Sequence, residues 1–189
     1  MVTPSVRPRV LVALALGAVL PAVAPADGPN MSGRWKFNRQ RSDDVREAVV
    51  EAAGPDYTTG DAKKEALRVW IRDWLMGLAD QTAEHVATIE QTASQFTVWV
   101  GDDLPTIFHF GREAASRGPG GGILKVSVKW NAEQLVTEEK AEKGSGRIMS
   151  VYTLLPGGKN LLLAYRLEHD RLRKPLALRL MFDRAGNGP

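Results

Sequence analysis

His85, His109 and His169 are the side chains best suited to proton transfer or metal ligation, and their spacing supports neither. None sits at His-x-x-x-His or Glu-x-x-His spacing, which would put two ligands on one helix face. They read as solvated or singly hydrogen-bonded imidazoles. Gly118-Pro119-Gly120-Gly121-Gly122 has the glycine density of a phosphate-binding loop. Such a loop needs a following Lys-Ser/Thr and a helix N-terminus whose amides face the anion. A β-pattern follows Gly122 instead, so the segment reads as a hairpin tip. No Gly-x-Ser-x-Gly elbow precedes a helix, and Gly144-Ser145-Gly146 reads as turn chemistry. The pairs Asp102-Asp103 and Glu138-Glu139 read as solvated turn or outer-face residues, because acid–base work needs a carboxyl in a dry cleft. The sequence therefore assigns no catalytic residue, no metal ligand and no cofactor.

The apolar side chains are more informative. Leu67, Trp70, Ile71, Trp74, Leu75 and Leu78 recur at i, i+3, i+4, i+7, i+8 and i+11. They form one stripe of a helix expected from Asp61 to about Asp80. The plain role is packing against a neighbouring layer. The sharper role is a lid whose Trp70 and Trp74 indoles line a hydrophobic cavity. A membrane-surface helix would let Arg68 and Arg72 snorkel, but Asp73 and Asp80 oppose it.

The elements that must position these residues follow from periodicity. Ser32 to Asn38 alternates, with Trp35 and Phe37 opposite Arg34 and Lys36. Ser42-Asp43-Asp44 is expected to start a helix, with Ser42 accepting from the first-turn amides. Val45, Ala48, Val49 and Ala52 form its apolar face, and Gly54-Pro55 ends it. The two helices make an insertion over 43–80. From residue 84 onward, strands are expected at 84–90, 95–101, 105–111, 123–130, 134–140, 147–155, 160–168 and 176–183, with a loop at 112–122. Pro156-Gly157-Gly158-Lys159 is a hairpin signal. The fold class is mainly β: an up-and-down antiparallel β-barrel of about 8–9 strands, since an open sheet of that size leaves two edges exposed. Phe96, Val98, Val126 and Tyr165 would line its interior and join Trp70 and Trp74 as ligand-binding residues. An eight-stranded barrel is about wide enough to be filled by side chains or to hold one small ligand.

Composition bounds the rest. With 189 residues, 43% apolar and 25% charged, the chain suits one globular domain. Residues 1–26 read as a signal peptide: Arg7 and Arg9 precede the apolar run Val10 to Leu20, and Ala24-Pro25-Ala26 supplies the small-x-small cleavage signal. The domain is expected over 27–184, with a disordered tail at 185–189. No cysteine occurs, which fits a bacterial periplasm or secreted fraction better than a small disulfide scaffold. Taking Arg7 and Arg9 from the 25 Lys and Arg, against 22 Asp and Glu, leaves a net charge of +1. No field is left to attract nucleic acid, and no stable membrane insertion is expected after cleavage.

Gly33-x-Trp35 on the first strand resembles the opening motif of the lipocalin and calycin barrels. The resemblance implies that Trp35 closes the barrel floor and that an arginine of the last strand covers its ring. Arg184 fits that role better than Arg179, which alternation turns outward. The chain also resembles a group of exported bacterial lipocalin-like proteins of unknown function. Its Gly-x-Trp-x-x-Asn…Ser-Asp opening is matched by Gly33, Trp35, Asn38, Ser42 and Asp43. Its two hairpins are matched by Lys129 to Val136 and Leu155 to Leu161, and its end by Phe182-Asp183-Arg184. The helical segment from Asp44 to Asp80 is longer than that group's usual connection. The expected function is an exported binding module for a small hydrophobic or amphipathic ligand held in the barrel interior. An envelope interaction or structural protein with a filled barrel is the alternative. A small barrel enzyme ranks last.

Overall fold

Period-2 patterning gives most of the strands one buried face, and the chain satisfies it by laying consecutive strands side by side. The computed structural model describes residues 28–53, 86–100, 105–117 and 122–186. The elements are β1 (Gly33–Phe37), α1 (Val45–Ala53), β2 (Val86–Gln91), β3 (Gln95–Val100), β4 (Thr106–His109) and β5 (Ala114–Arg117), then β6 (Ile123–Asn131), β7 (Gln134–Ala141), β8 (Arg147–Leu154), β9 (Asn160–Glu168) and β10 (Leu176–Arg184). They form one ten-stranded sheet in the order β4-β3-β2-β1-β10-β9-β8-β7-β6-β5.

Every ladder is antiparallel, including the β1–β10 ladder that joins the two ends of the domain through Trp35↔Arg184 and Phe37↔Phe182. No ladder joins β4 to β5. Past the end of the four-residue β5, the chain after β4 meets β6 in an isolated parallel bridge, Phe110↔Val128. The result is an up-and-down barrel, nearly closed.

Ten strands replace the expected eight or nine. The additional one is β5, inside the segment read as a loop. Its Ala-Ala-Ser-Arg sequence has no β-branched or aromatic residue, and it is a strand because β6 offers it an edge, with Ala114↔Val126 and Ser116↔Leu124 in register.

The connection after β1 also differs from expectation. Ser42 does not cap α1. Its hydroxyl accepts from the Met181 amide at 2.8 Å and donates to the Asn38 carbonyl at 2.7 Å. Asp44 caps α1 instead, accepting from the Glu47 amide at 3.0 Å. Ser42 is diverted because β10 runs on beyond its pairing with β1 and presents unpaired backbone there. Asp43 completes this stitching by accepting from the Arg179 amide at 2.7 Å. One helix and a short 3-10 turn at Arg39–Arg41 thus follow β1. The expected second helix lies outside the described residues, as do Trp70, Trp74 and residues 1–27.

The opening motif is a clasp on β10. Asn38 Nδ2 donates to one oxygen of Asp183 at 2.7 Å, and Asn160 Nδ2 donates to the other at 2.6 Å. The chain, held against β10, carries α1 to the end of the barrel where β10 begins. There Val49 and Ala52 are buried, and the Ala52 carbonyl accepts from the Arg173 amide at 2.8 Å. Pro156-Gly157-Gly158-Lys159 is the expected hairpin. Gly157 and Gly158 take φ of +86° and +68°, and the Leu155 amide donates to the Asn160 carbonyl at 2.9 Å.

Candidate functional site

At the Arg184 end the barrel is shut. Trp35 has no exposed surface, and its Nε1 donates to the Met31 carbonyl at 2.9 Å. The Arg184 guanidinium lies 4.3 Å from the ring centroid, and it donates to the Gly158 carbonyl at 2.8 Å and the Ser32 carbonyl at 2.9 Å. The side chain expected to cover Trp35 is the one that does so, while Arg179 is exposed on the outer face. The lead-in residues cross the same floor, with Gly28 against the Trp130 ring and Met31 fully buried. Phe110 stacks on Trp130 at 6.5 Å.

Above the floor, the ladders line up the inward side chains in rows. One row is Leu180, Leu163, Tyr152, Leu135 and Trp130 across β10 to β6. The next is Leu178, Tyr165, Ser150, Thr137 and Val128. A third is Leu176, Leu167, Ile148, Glu139 and Val126. Across the barrel, Phe96 packs edge-on to Tyr152 at 5.1 Å and against Phe108 at 6.4 Å. The wall is thus apolar, with a polar patch of Thr137, Ser150, Tyr152, Tyr165 and Glu139 on the β7–β9 side.

Four of the side chains expected to bind a ligand sit on this wall. Phe96 and Val126 are packed into it at 0% and 1% exposure. Val98 and Tyr165 face inward yet remain only partly buried, as do Leu163 and Ile148. Val98, Leu163 and Tyr165 lie mid-strand, and each keeps some accessible surface.

Among the described residues, two buried side-chain polar atoms have no hydrogen-bond partner: the Tyr165 hydroxyl and Trp130 Nε1. Each forgoes about 1–3 kcal/mol relative to a satisfied group. Burial pushes the Tyr152 and Tyr165 phenols up, and the nearby Glu139 carboxylate pushes them further, so both stay protonated. Against that rise, a hydrogen bond from Ser150 acts on Tyr152. Burial also pushes the Glu139 carboxyl up from its ordinary 4.5.

Glu139 corrects the reading of Glu138-Glu139 as an outer-face pair. Glu138 does point outward, to Arg147 at 2.7 Å. Its neighbour points in, because strand side chains alternate and Leu135 and Thr137 are buried. Counting in twos from Leu135 was the sequence signal that would have found it.

His109 and His169 sit in separate places. His109 lies 3.4 Å from the Gln95 amide on β3, and His169 Nδ1 accepts from the Arg171 amide in the β9–β10 loop. His85, Asp102 and Asp103 lie outside the described residues. So does 118–121 of the glycine-rich segment. Among the described residues no three His, Cys, Asp or Glu side chains gather as metal ligands. Ser145 serves its loop, accepting from the Asp170 amide at 3.1 Å.

Solved structures share this architecture. Human cRBP IV is 20% identical, with a TM-score of 0.53 over 83% of this chain and 99% of its own. The chain shares the up-and-down β-barrel fold of that protein. Two further structures match this barrel. Lipid binding protein 8 of Caenorhabditis elegans is 14% identical, with a TM-score of 0.51 over 82% of this chain and 94% of its own. An abundant heat soluble (SAHS) protein of Ramazzottius varieornatus is 11% identical, with a TM-score of 0.53 over 86% of this chain and 100% of its own. No family model and no curated protein matches the barrel by sequence.

Proposed function

We propose that this barrel binds a small hydrophobic or amphipathic ligand in its interior. The observation that carries the reading is the combination at Tyr165. An inward-facing apolar wall carries partly buried side chains beside a buried hydroxyl that lacks a partner. Affinity comes from burial of apolar surface, at roughly 25 cal/mol per Å2, and the polar patch orients the head of the ligand. The name of the C. elegans neighbour, a lipid binding protein, supports the same reading. Trp70 and Trp74 are proposed as part of a lid over the mouth.

The test is a titration of intrinsic tryptophan fluorescence with single-chain amphiphiles below their micelle concentrations. Saturable quenching is expected, and Val98→Trp, which fills the interior, is expected to abolish it while the barrel still melts cooperatively. Unsaturable quenching, or quenching indifferent to Val98→Trp, rejects an interior site.

The module is further proposed to act after export, released by cleavage after Ala26. Expression in a bacterial host with a periplasm, followed by N-terminal sequencing, is expected to give a chain starting at Asp27 in the periplasmic or secreted fraction. An intact N-terminus in the cytosol rejects export.

A further inference from the structure

The polar patch also constrains the head of the ligand, on the premise that the interior is the binding site. Its charge is the informative feature. On the inner face of the described strands the only cation is Arg184, and it is committed to the floor by Trp35 and two carbonyls. Every inward position of β10 before it is apolar: Leu176, Leu178, Leu180 and Phe182. The inner face does carry one carboxyl, Glu139, two residues along β7 from Thr137 and next to the row that holds Tyr165 and Ser150.

An anionic head placed there would meet Glu139, with no free opposite charge on the inner face of the described strands to offset its desolvation. A head that donates a hydrogen bond meets the opposite situation. Glu139 offers acceptor oxygens, and the unpartnered Tyr165 hydroxyl accepts or donates as the head requires.

We propose that the barrel selects an apolar ligand with a hydrogen-bond-donating head, an alcohol or an amine, and discriminates against a carboxylate. Glu139 and Tyr165 are its specificity-determining residues. Alcohol and amine share the donor, and they differ in whether Glu139 acts as a neutral acceptor or as a counter-ion.

Dodecan-1-ol, dodecylamine and dodecanoate have one chain and three heads, so they isolate the effect. Calorimetric or fluorescence titration of the full-length mature barrel at pH 7.5 is expected to show the alcohol or the amine binding at least about tenfold tighter than the acid, the difference one good hydrogen bond in a dry site makes. An amine preference over the alcohol identifies Glu139 as a counter-ion, and the reverse identifies it as a neutral acceptor. Glu139→Gln, which keeps the shape and removes the charge, is expected to narrow the discrimination against dodecanoate. Tyr165→Phe is expected to weaken the preferred head while leaving the alkane chain contribution unchanged. Thermal melts of both variants check that the barrel is intact. If dodecanoate binds as tightly as the other two, head selection is overturned while interior binding stands. If none of the three binds, both readings fall.

Discussion

Arg184 lies directly across the β1–β10 ladder from Trp35 and holds its guanidinium 4.3 Å above the indole. The pair therefore joins the last strand to the first at the closed end of the barrel. Gly33 is part of the same contact. A Cβ there would come within 2.7 Å of Arg184 Nη1, and its φ of +143° disfavours any side chain. Arg184→Ala is expected to lose about 1–2 kcal/mol, combining a partly exposed cation–π contact and two carbonyl hydrogen bonds. Gly33→Ala is expected to lose roughly 1–3 kcal/mol. In the double variant the costs should sum to less than the two singles, because removing the guanidinium relieves the clash but not the φ strain. Urea denaturation measures all three, and strict additivity would refute the shared contact.

Asp183 is the centre of the clasp. Its two oxygens accept from Asn38 and Asn160, and Arg41 lies 3.9 Å away. Asp183→Ala leaves two amide donors without an acceptor and is expected to cost about 1–3 kcal/mol. Asp183→Asn is expected to cost less, since it retains one acceptor oxygen. Equal losses for the two variants would show that the carboxylate's charge, not its geometry, is what matters.

Glu139 gives a pH signature with a definite sign. Its folded-state value is raised above its ordinary 4.5 by burial. In the window above 4.5 the folded chain therefore holds more proton than the unfolded chain, and stability falls as pH rises through that window. Glu139→Gln removes this dependence. Relative to wild type, the variant is expected to gain stability at pH 8 and to gain less at pH 4. Chemical denaturation at the two pH values checks it, and a difference that does not change with pH would place Glu139 in water.

Phe96 separates wall from lumen. It is fully buried and packed between Tyr152 and Phe108, so Phe96→Ala is expected to cost about 3–5 kcal/mol as a core cavity. Val98 faces the interior with surface left over, and Val98→Ala is expected to cost under about 1.5 kcal/mol. Similar losses from both would mean that the interior is packed solid at Val98.

The path of the chain was legible in the residues themselves. Alternation marks nine of the ten strands, Gly157-Gly158 marks a hairpin whatever lies around it, and the closed floor is what the resemblance carried by Gly33-x-Trp35 implies. Alternation and the hairpin are local properties: side-chain direction repeats every two residues, and glycine takes positive φ without help from distant residues. The remaining features depend on residues distant in sequence. β5 is a strand only because β6 lies beside it. Ser42 leaves the helix because the Met181 amide, 139 residues later, lies within reach of its hydroxyl. Arg184 rather than Arg179 covers Trp35 because the β1–β10 register pairs them. Glu139 became informative only when the barrel closed around it. Its inward direction follows from parity along β7, but its charge matters because the described strands bring no cation to the inner face except Arg184, which the floor holds. Periodicity determines which face a residue takes. The tertiary structure decides what that face meets, because contacts, desolvation and charge pairing depend on groups that the sequence places far apart.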